Sequence, residues 1–231
     1  MTLGTPRVHR RVTGSTSVDA RELASAGAPH GTLVTAAEQR EGRGRQGRRW
    51  IAPPGGAVLC SLVLREPPAL LPLAAGVAVA ELVGPQATIK WPNDVLLDGR
   101  KVSGILVDGR PQECWAVLGI GVNVAIGLDQ LPGELRASAG TLGLGPDAIE
   151  PTLARLLALL ERWLSRSATE VLDAWRARDA LRGSAIASSL ASMLVEPVTR
   201  RWTRGVPSVI GRAAALRHPV APRAGAPRIR R

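Results

Sequence analysis

The sequence predicts an α+β fold in which helices pack on a mixed β-sheet. Three observations lead to this prediction. Short β-branched and apolar segments, bounded by turn residues, recur along the chain and are typical of buried strands. Two of these segments are joined by the dipeptide Asp98-Gly99, which indicates an antiparallel hairpin. Leucines at helical spacing over residues 152–164 predict an amphipathic helix.

The predicted elements follow one another along residues 17–180. Helices are predicted over residues 17–26, 69–83, 152–164 and 168–180. Ser15 or Thr16 would cap the first helix, and Gly84-Pro85 would end the second. Strands are predicted over residues 32–37, 58–64, 87–91, 95–97, 101–107 and 115–124. Residues 38–50 are polar and rich in Gly and Arg, which predicts a loop.

The positive charge is concentrated in the last fifty residues. The formal net charge is +11, yet residues 1–181 contain 20 basic and 18 acidic residues. Residues 182–231 contain 10 arginines and the single acid Glu196, and they follow no helical or strand period. We therefore predict a nearly neutral folded domain over residues 1–181 and a separate, unfolded Arg-rich region over residues 182–231. A basic nucleic-acid footprint is not expected on the domain itself.

The composition also favours a cytoplasmic, soluble protein. Cys60 and Cys114 are too few for a disulfide framework or a zinc site, as expected in a reducing compartment. The longest apolar stretch, residues 70–80, is too short to span a bilayer, so no membrane partner is expected. The arginines near the N-terminus are not followed by the apolar segment of a secretory signal.

Lysine is rare in this chain and marks the first candidate for chemistry. Only Lys90 and Lys101 are lysines among thirty basic residues. A lysine offers a compact point charge where arginine offers a planar fork, although chance survival would explain the pair equally well. Between them, Asn93-Asp94 supplies an amide and a carboxylate, and Asp is a hard ligand for Mg²⁺ shared with phosphate. Asn-Asp is also a common turn signal.

A second candidate is the Gly- and Arg-rich segment of residues 42–50, Gly-Arg-Gly-Arg-Gln-Gly-Arg-Arg-Trp. Its glycines permit close approach of a ligand to the backbone, and its arginines offer paired donors to carboxylate or phosphate. Four arginines in seven positions repel one another, so we expect the loop to be mobile until an anion orders it. A solvated basic loop or a nucleic-acid-binding tract is the alternative.

Together, residues 42–50 and 90–106 resemble the two signature segments of the biotin protein ligases, in their short form without an N-terminal DNA-binding domain. Shorter matches lie at residues 14–16, 37–39 and 119–123, and the resemblance covers about residues 8–180. It implies a catalytic domain like that of the class II aminoacyl-tRNA synthetases. Members of this family end in an SH3-like β-barrel, whose pattern is missing from residues 182–231. A divergent basic tail and translation in a wrong reading frame both explain that region.

The resemblance implies a two-step reaction. Biotin and ATP would form biotinyl-5′-AMP, and a lysine of a biotin carboxyl carrier protein, a subunit of acyl-CoA carboxylases, would then accept biotin. Mg²⁺ would accompany ATP. The catalytic residues would be Lys101, Arg45 and Lys90. The biotin-binding residues would be Ser15, Thr16, Ser17, Gln39, Arg43, Gly44, Arg45, Trp50 and Lys101, with Ser17 standing where many relatives have Asn. The ATP-binding residues would be Arg43, Arg48, Trp50, Lys90, Asn93 and Asn123, with Asp94 as the metal ligand.

Other functions remain open at this point. A lipoate– or octanoate–protein ligase of the same fold also uses a pocket lysine, but its relatives lack these forms of the two segments. A nucleic-acid-binding module could use the Arg-rich loop and tail. A repressor would need a helix-turn-helix, and about seven residues precede the first matched strand, so we expect no specific DNA binding. An inactive relative without a functional barrel is a further alternative. The sequence leaves open whether the protein is a monomer or a homodimer.

Overall fold

A seven-stranded β-sheet forms the centre of the structure, a computed structural model that describes residues 2–182. The strands are β1 (Arg7–Thr13), β2 (Leu33–Gln39), β3 (Ala57–Arg65), β4 (Thr88–Lys90), β5 (Asp94–Leu97), β6 (Arg100–Arg110) and β7 (Trp115–Asn123). Their order across the sheet is β1-β2-β3-β7-β6-β5-β4. Only β1 and β2 run parallel, and every other neighbouring pair is antiparallel. The predicted mixed sheet is confirmed.

Six of these strands occur where the sequence pattern predicts them, whereas β1 was expected from the family resemblance alone. Its polar sequence, Arg-Val-His-Arg-Arg-Val-Thr, belongs to an edge strand, and edges commonly carry charge that discourages pairing with other chains. The predicted hairpin between β5 and β6 is present. Asp98 and Gly99 both have positive φ angles, of 51° and 73°, and Leu97 pairs with Arg100 across this turn.

Four of the five α-helices match predictions. They are α1 (Thr16–Ser25), α2 (Leu71–Val83), α4 (Ile149–Leu164) and α5 (Ala168–Ala177), while the single turn α3 (Gly133–Arg136) was not predicted. Helix α5 stops before residue 180 because the chain there pairs with β4. The Ile89 N–H donates to the Arg178 carbonyl, and the Ala180 N–H donates to the Ile89 carbonyl. No helix within residues 2–182 is both long enough and apolar enough to cross a membrane.

The two faces of the sheet have different coverings. Helices α2, α4 and α5 form the main apolar core on one face, where alternate residues of β3 such as Cys60 and Leu62 point. Helix α2 is buried on nearly all sides because it lies against both the sheet and α4. The opposite face is covered partly by α1, through Ala20 and Ala24 packed on Val63 of β3. The rest of that second face carries the candidate site.

Two sequence predictions fall outside this description. Residues 183–231 lie beyond the described part of the chain, so the prediction of an Arg-rich, unfolded region in place of the family's β-barrel stays a prediction. The domain boundary at residues 181 and 182 stays a prediction for the same reason.

Candidate active site

A cavity of about 520 Å³ opens on the α1 side of the sheet and brings together segments that are distant in sequence. The start of α1, the loop of residues 42–50, and strands β5 and β6 all contribute to its wall. The predicted site residues that line it are Ser15, Thr16, Ser17, Gln39, Arg43, Gly44, Arg45, Arg48, Trp50, Lys90, Asn93, Asp94 and Lys101. Of the predicted set, only Asn123 is missing from this wall.

One part of the wall is a group of uncharged hydrogen-bonding side chains. The Thr16 backbone N–H donates to Gln39 Oε1 at 2.7 Å, and the Thr16 hydroxyl contacts the same oxygen at 3.0 Å. Ser61 Oγ lies 2.9 Å from Thr16 Oγ1 and 3.1 Å from Ser17 Oγ. The three hydroxyl-bearing residues are buried, and Ser61 is fully so. Such a group is a neutral, preformed recognition surface.

Ser15 occupies the N-cap position of α1, but its side chain does not cap the helix. Its carbonyl accepts from the N–H groups of Val18 and Asp19, whereas Ser15 Oγ is buried and has no hydrogen-bond partner within residues 2–182. The predicted N-cap position is therefore confirmed for Ser15, but no side-chain cap forms, and the Thr16 hydroxyl bonds Gln39. A buried hydroxyl without a partner costs free energy unless a ligand satisfies it.

The Gly- and Arg-rich loop forms a tight hairpin beside this group. The Gly44 N–H donates to the Arg48 carbonyl at 2.7 Å, and Gln46 at the tip has a positive φ of 56°. Gly42 is required for steric reasons, since a Cβ there would lie 2.4 Å from the Trp50 carbonyl oxygen. Arg45 Nη1 reaches Asn93 Oδ1 at 3.5 Å and so connects the two signature segments.

The Trp50 ring lies on a floor of two glycines that face each other across β6 and β7. A Cβ on Gly121 would come within 2.4 Å of the Trp50 ring, and one on Gly104 within 2.9 Å. Trp50 Nε1 is buried and has no partner in the described chain. Lys101 Nζ lies 5.6 Å from the centre of the ring, within the range of a cation–π contact.

Lys101 and Asp94 form an ion pair in the same cavity, with Nζ and Oδ1 2.7 Å apart. Asp94 is the first residue of β5, whose pairing with β6 shifts register between Val95 and Leu96. Both side chains remain partly exposed, so the pair contributes little to stability. The pair can therefore separate at little cost, so that Lys101 binds an anionic ligand and Asp94 binds a cation.

The remaining predicted residues are less central. Lys90 is an exposed residue at the cavity, and Arg48 is an exposed residue of the loop. Asn123 is buried, and its Nδ2 donates to the Gly140 carbonyl at 2.8 Å, while its Oδ1 has no partner within residues 2–182. Its predicted contact with the nucleotide stays a prediction.

Sequence reasoning missed two kinds of residue that shape the site. Ser61 was missed, although a lone serine in the apolar run Ala-Val-Leu-Cys-Ser-Leu-Val-Leu is itself a signal. The floor glycines belong to matched segments, but their contact with Trp50 depends on strand register. Cys60, the neighbour of Ser61 on β3, is a buried free thiol whose side chain packs in the core on the opposite face of the sheet. Burial raises the pKa of the Cys60 thiol to about 12, so the thiol is neutral near pH 7.

The sequence of this chain is similar to those of known proteins. The family model of the biotin/lipoate A/B protein ligase family matches residues 9–125, which contain strands β2 to β7, most of β1 and both signature segments. The biotin--[acetyl-CoA-carboxylase] ligase of Mycobacterium tuberculosis is 35% identical over 195 residues, which are 75% of this chain and 71% of that protein. The bifunctional ligase/repressor BirA of Bacillus spizizenii is 40% identical over 152 residues, which are 61% of this chain. That match spans 47% of BirA, about half its length.

A solved structure supports the same relationship. The biotin protein ligase from Aquifex aeolicus, in complex with biotin and ATP, superposes with a TM-score of 0.66 at 27% sequence identity. The superposition covers 76% of this chain and 79% of the Aquifex chain, and it confirms the predicted fold class. The resemblance seen in residues 42–50 and 90–106 is thereby confirmed at the level of the family. With half of its length matched by the family model and a curated relative at 35% identity, the chain belongs to the biotin/lipoate A/B protein ligase family.

Proposed function

We propose that this protein is an ATP-dependent biotin–protein ligase. The observation that carries the proposal is the cavity, which combines a neutral hydrogen-bonding wall with a charged region. Ser61 behind the neutral wall lies on β3, and Asp94 lies on β5, three strand spacings away across β7 and β6. At the usual strand separation this is about 14 Å. A ligand with a polar, uncharged head and an anionic tail fits this division.

Biotin has these two ends. Its ureido ring offers one carbonyl acceptor and two N–H donors, which complement Ser15, Thr16, Ser17 and Gln39. Its valerate chain ends in a carboxylate, which suits Lys101 and the loop arginines Arg43 and Arg45. The dithiolane ring of lipoate has no comparable hydrogen-bonding groups and would leave the Ser15 hydroxyl unpaired. The relatives described above are likewise named as biotin ligases, which supports biotin over lipoate.

In the first step, an oxygen of the biotin carboxylate attacks the α-phosphorus of ATP, and pyrophosphate leaves. Two anions must approach each other, so catalysis requires preorganised positive charge. Lys101 would bond the carboxylate and stabilise the charge that develops at the α-phosphate. Arg43, Gly44 and Arg45 would enclose the carboxylate and phosphate, and Arg48 and Lys90 would contact the outer phosphates. Trp50, Asn93 and Asn123 would line the nucleotide side.

The donors of this site suit Mg²⁺ only if phosphate oxygens supply further ligands to the ion. Asp94 is the carboxylate in the cavity wall, and residues 2–182 contain no cluster of three or more His, Cys, Asp or Glu side chains that could hold a metal. Mg²⁺ is commonly bound by one or two carboxylates together with substrate phosphates and water. Asp94 would thus hold Mg²⁺ on ATP, where the ion would neutralise phosphate charge, and Lys101 would be released to bind the carboxylate.

In the second step, the neutral ε-amine of a lysine on a biotin carboxyl carrier protein attacks the activated carbonyl. The amide bond forms, AMP leaves, and the amine loses its proton. The name of the Mycobacterium tuberculosis relative identifies a carboxylase as that enzyme's acceptor, and we propose the same kind of carrier here. The loop of residues 42–50 would retain the adenylate until the carrier arrives. A cytoplasmic location is proposed with this function.

Biotin-dependent exchange of labelled pyrophosphate into ATP tests the proposal, because exchange reports the first step without a carrier. The wild-type protein should exchange label when biotin and Mg²⁺ are present and should not exchange when lipoate replaces biotin. Exchange with lipoate but not with biotin would overturn the proposal. So would a protein that shows no exchange and does not bind biotin in calorimetric titration.

A further inference from the structure

The hydrogen bonds among the hydroxyl groups beside Gln39 permit only one assignment of donors and acceptors. Gln39 Oε1 accepts from the Thr16 backbone N–H, which identifies this atom as the oxygen of the amide. An amide oxygen cannot donate, so the Thr16 hydroxyl must give its proton to the same atom. Having given its proton, Thr16 Oγ1 must accept from Ser61 at 2.9 Å. Ser61 Oγ in turn must accept from Ser17 at 3.1 Å.

All three hydrogen bonds therefore point the same way. Ser17 donates to Ser61, Ser61 donates to Thr16, and Thr16 donates to Gln39 Oε1. This order sets the polarity of the cavity wall. Thr16 and Ser17 have used their protons and present lone pairs, so they accept hydrogen bonds from a ligand. Gln39 has its oxygen occupied, which leaves its Nε2 group as a donor. The wall complements a ligand that has N–H donors next to a carbonyl acceptor, as a cyclic urea does.

Ser61 is the link on which this order depends. It is fully buried and does not line the cavity, so it acts through Thr16 and Ser17 and not on the ligand directly. The space for this link comes from Gly119, which pairs with Ser61 across β3 and β7. A Cβ on Gly119 would lie 2.6 Å from Ser17 Oγ and 3.5 Å from Ser61 Oγ.

We propose that Ser61 is a positioning residue that fixes the hydroxyl protons of Thr16 and Ser17 and thereby confers affinity for the ureido ring of biotin. This inference rests on the proposed function of the cavity. Without the Ser61 hydroxyl, Ser17 loses its acceptor and can turn its proton toward the ligand, and Thr16 loses the donor that orients its lone pairs. The cavity wall then no longer presents fixed hydrogen-bond acceptors to the ureido N–H groups.

The test compares Ser61→Ala with Ser103→Ala. Ser103 is also a fully buried strand serine, but its hydroxyl donates to the Gly121 carbonyl, which is not part of the ordered group. In calorimetric titrations, the Kd for biotin should rise roughly tenfold in Ser61→Ala, the factor expected for about one lost hydrogen bond. Dethiobiotin, which keeps the ureido ring, should lose affinity by the same factor. In pyrophosphate exchange, the KM for ATP and the maximal rate should stay within about twofold of wild type.

Each outcome is decisive. If wild type binds biotin and Ser61→Ala binds it as tightly as Ser103→Ala does, the positioning role is overturned while the ligase proposal stands. If Ser61→Ala raises the KM for ATP and lowers the rate along with biotin affinity, its effect is a general loss of structure, and the positioning role is overturned. If wild type itself binds no biotin, the proposed function fails and this inference fails with it.

Discussion

Lys101 is the residue on which the proposed chemistry depends most. Its ammonium forms an ion pair with Asp94 and lies over the Trp50 ring, so it is already positioned in the cavity. We predict that Lys101→Ala lowers the rate of biotin-dependent pyrophosphate exchange by about 10²–10³, the usual cost of removing one donor to developing charge. Lys101→Arg should not restore the rate, because a planar fork cannot replace the point charge.

Arg100→Ala provides the matched control for Lys101, since Arg100 is the preceding residue of β6 and lies outside the cavity wall. It should exchange pyrophosphate at the wild-type rate. Thermal unfolding of all three variants checks that the fold is kept. Wild-type exchange in Lys101→Ala would contradict the assigned role.

Cys60 makes the stability of the fold depend on pH in the alkaline range. Its pKa is raised from an ordinary 9.0 to about 12 because burial removes the hydration of the thiolate. Between these values the unfolded chain loses the proton and the folded chain keeps it. The free energy of unfolding should therefore be unaffected below about pH 9 and should fall above it, by up to ~1.4 kcal/mol per pH unit.

Urea unfolding between pH 8 and pH 11 measures this effect. Cys60→Val, which is similar in volume and does not ionise, should show a shallower fall than wild type over this range. Equal slopes for the two proteins would show that the Cys60 thiol ionises as readily in the folded state as in the unfolded chain.

Most residues of the cavity could be predicted from the sequence because they lie in short continuous segments. Arg45 and Lys101 are examples, since each lies within one of the two signature segments that are recognisable in the sequence. Ser61 could not be assigned this way. Its importance comes from contacts with residues 44 and 45 positions away, which only the pairing of α1 with β3 creates.

At the scale of the element, the loop of residues 42–50 combines a folded backbone with exposed arginines. Its hairpin is held by few backbone bonds, including the bond from the Trp50 N–H to the Gly42 carbonyl, and Arg48 and Arg49 are exposed. We predict that trypsin cleaves the free protein in this loop and that biotin with ATP slows this cleavage. Anions between the arginines would remove their mutual repulsion and order the segment.

Mass spectrometry of the tryptic fragments gives the rate of loop cleavage. Cleavage at Arg166, an exposed residue outside the cavity wall, serves as the internal control and should be unchanged by ligands. An equal loop cleavage rate with and without ligands would show that the loop is not ordered by binding.

The glycine floor under Trp50 gives a second prediction at this scale. Gly121→Ala would place a methyl group 2.4 Å from the Trp50 ring, so the ring must move and displace the loop that carries it. We expect a loss of about 1–3 kcal/mol in the free energy of unfolding, as is typical of overpacking. Biotin-dependent pyrophosphate exchange should also fall, because Trp50 contacts Lys101.

Gly133→Ala is the control for this substitution, since a Cβ at Gly133 meets no other atom within 4 Å. It should leave both stability and exchange close to wild type. A Gly121→Ala protein with normal exchange would show that the position of Trp50 is not required.

Among the elements, sequence prediction succeeded where the hydrophobic pattern was local. Helix α4 and the hairpin of β5 and β6 are defined by their own residues, through leucine spacing and the Asp98-Gly99 turn. Strand β1 and the end of α5 depend instead on the strands with which they pair. The polar residues of β1 become a strand because β2 offers a parallel edge, and the chain at Arg178 leaves the helix to pair with Ile89.

For the whole molecule, the mixed sheet followed from the sequence, but its strand order did not. Strand β7 pairs between β3 and β6, and this insertion places Gly119 beside Ser61 and Gly121 beside Gly104. The resulting floor and wall explain why two segments about forty residues apart meet in one cavity. All residues that line this cavity lie between Ser15 and Ser138, within the described part of the chain.

The most direct test of the central claim is transfer of biotin to a carrier. The purified full-length protein should be incubated with Mg-ATP, equal concentrations of biotin and lipoate, and a biotin carboxyl carrier domain, and the intact mass of the carrier should be measured. We predict that one lysine of the carrier gains a biotinyl group, that it gains no lipoyl group, and that Lys101→Ala reduces this gain by about 10²–10³. An unmodified carrier, or one that gains the lipoyl group instead, would contradict the account.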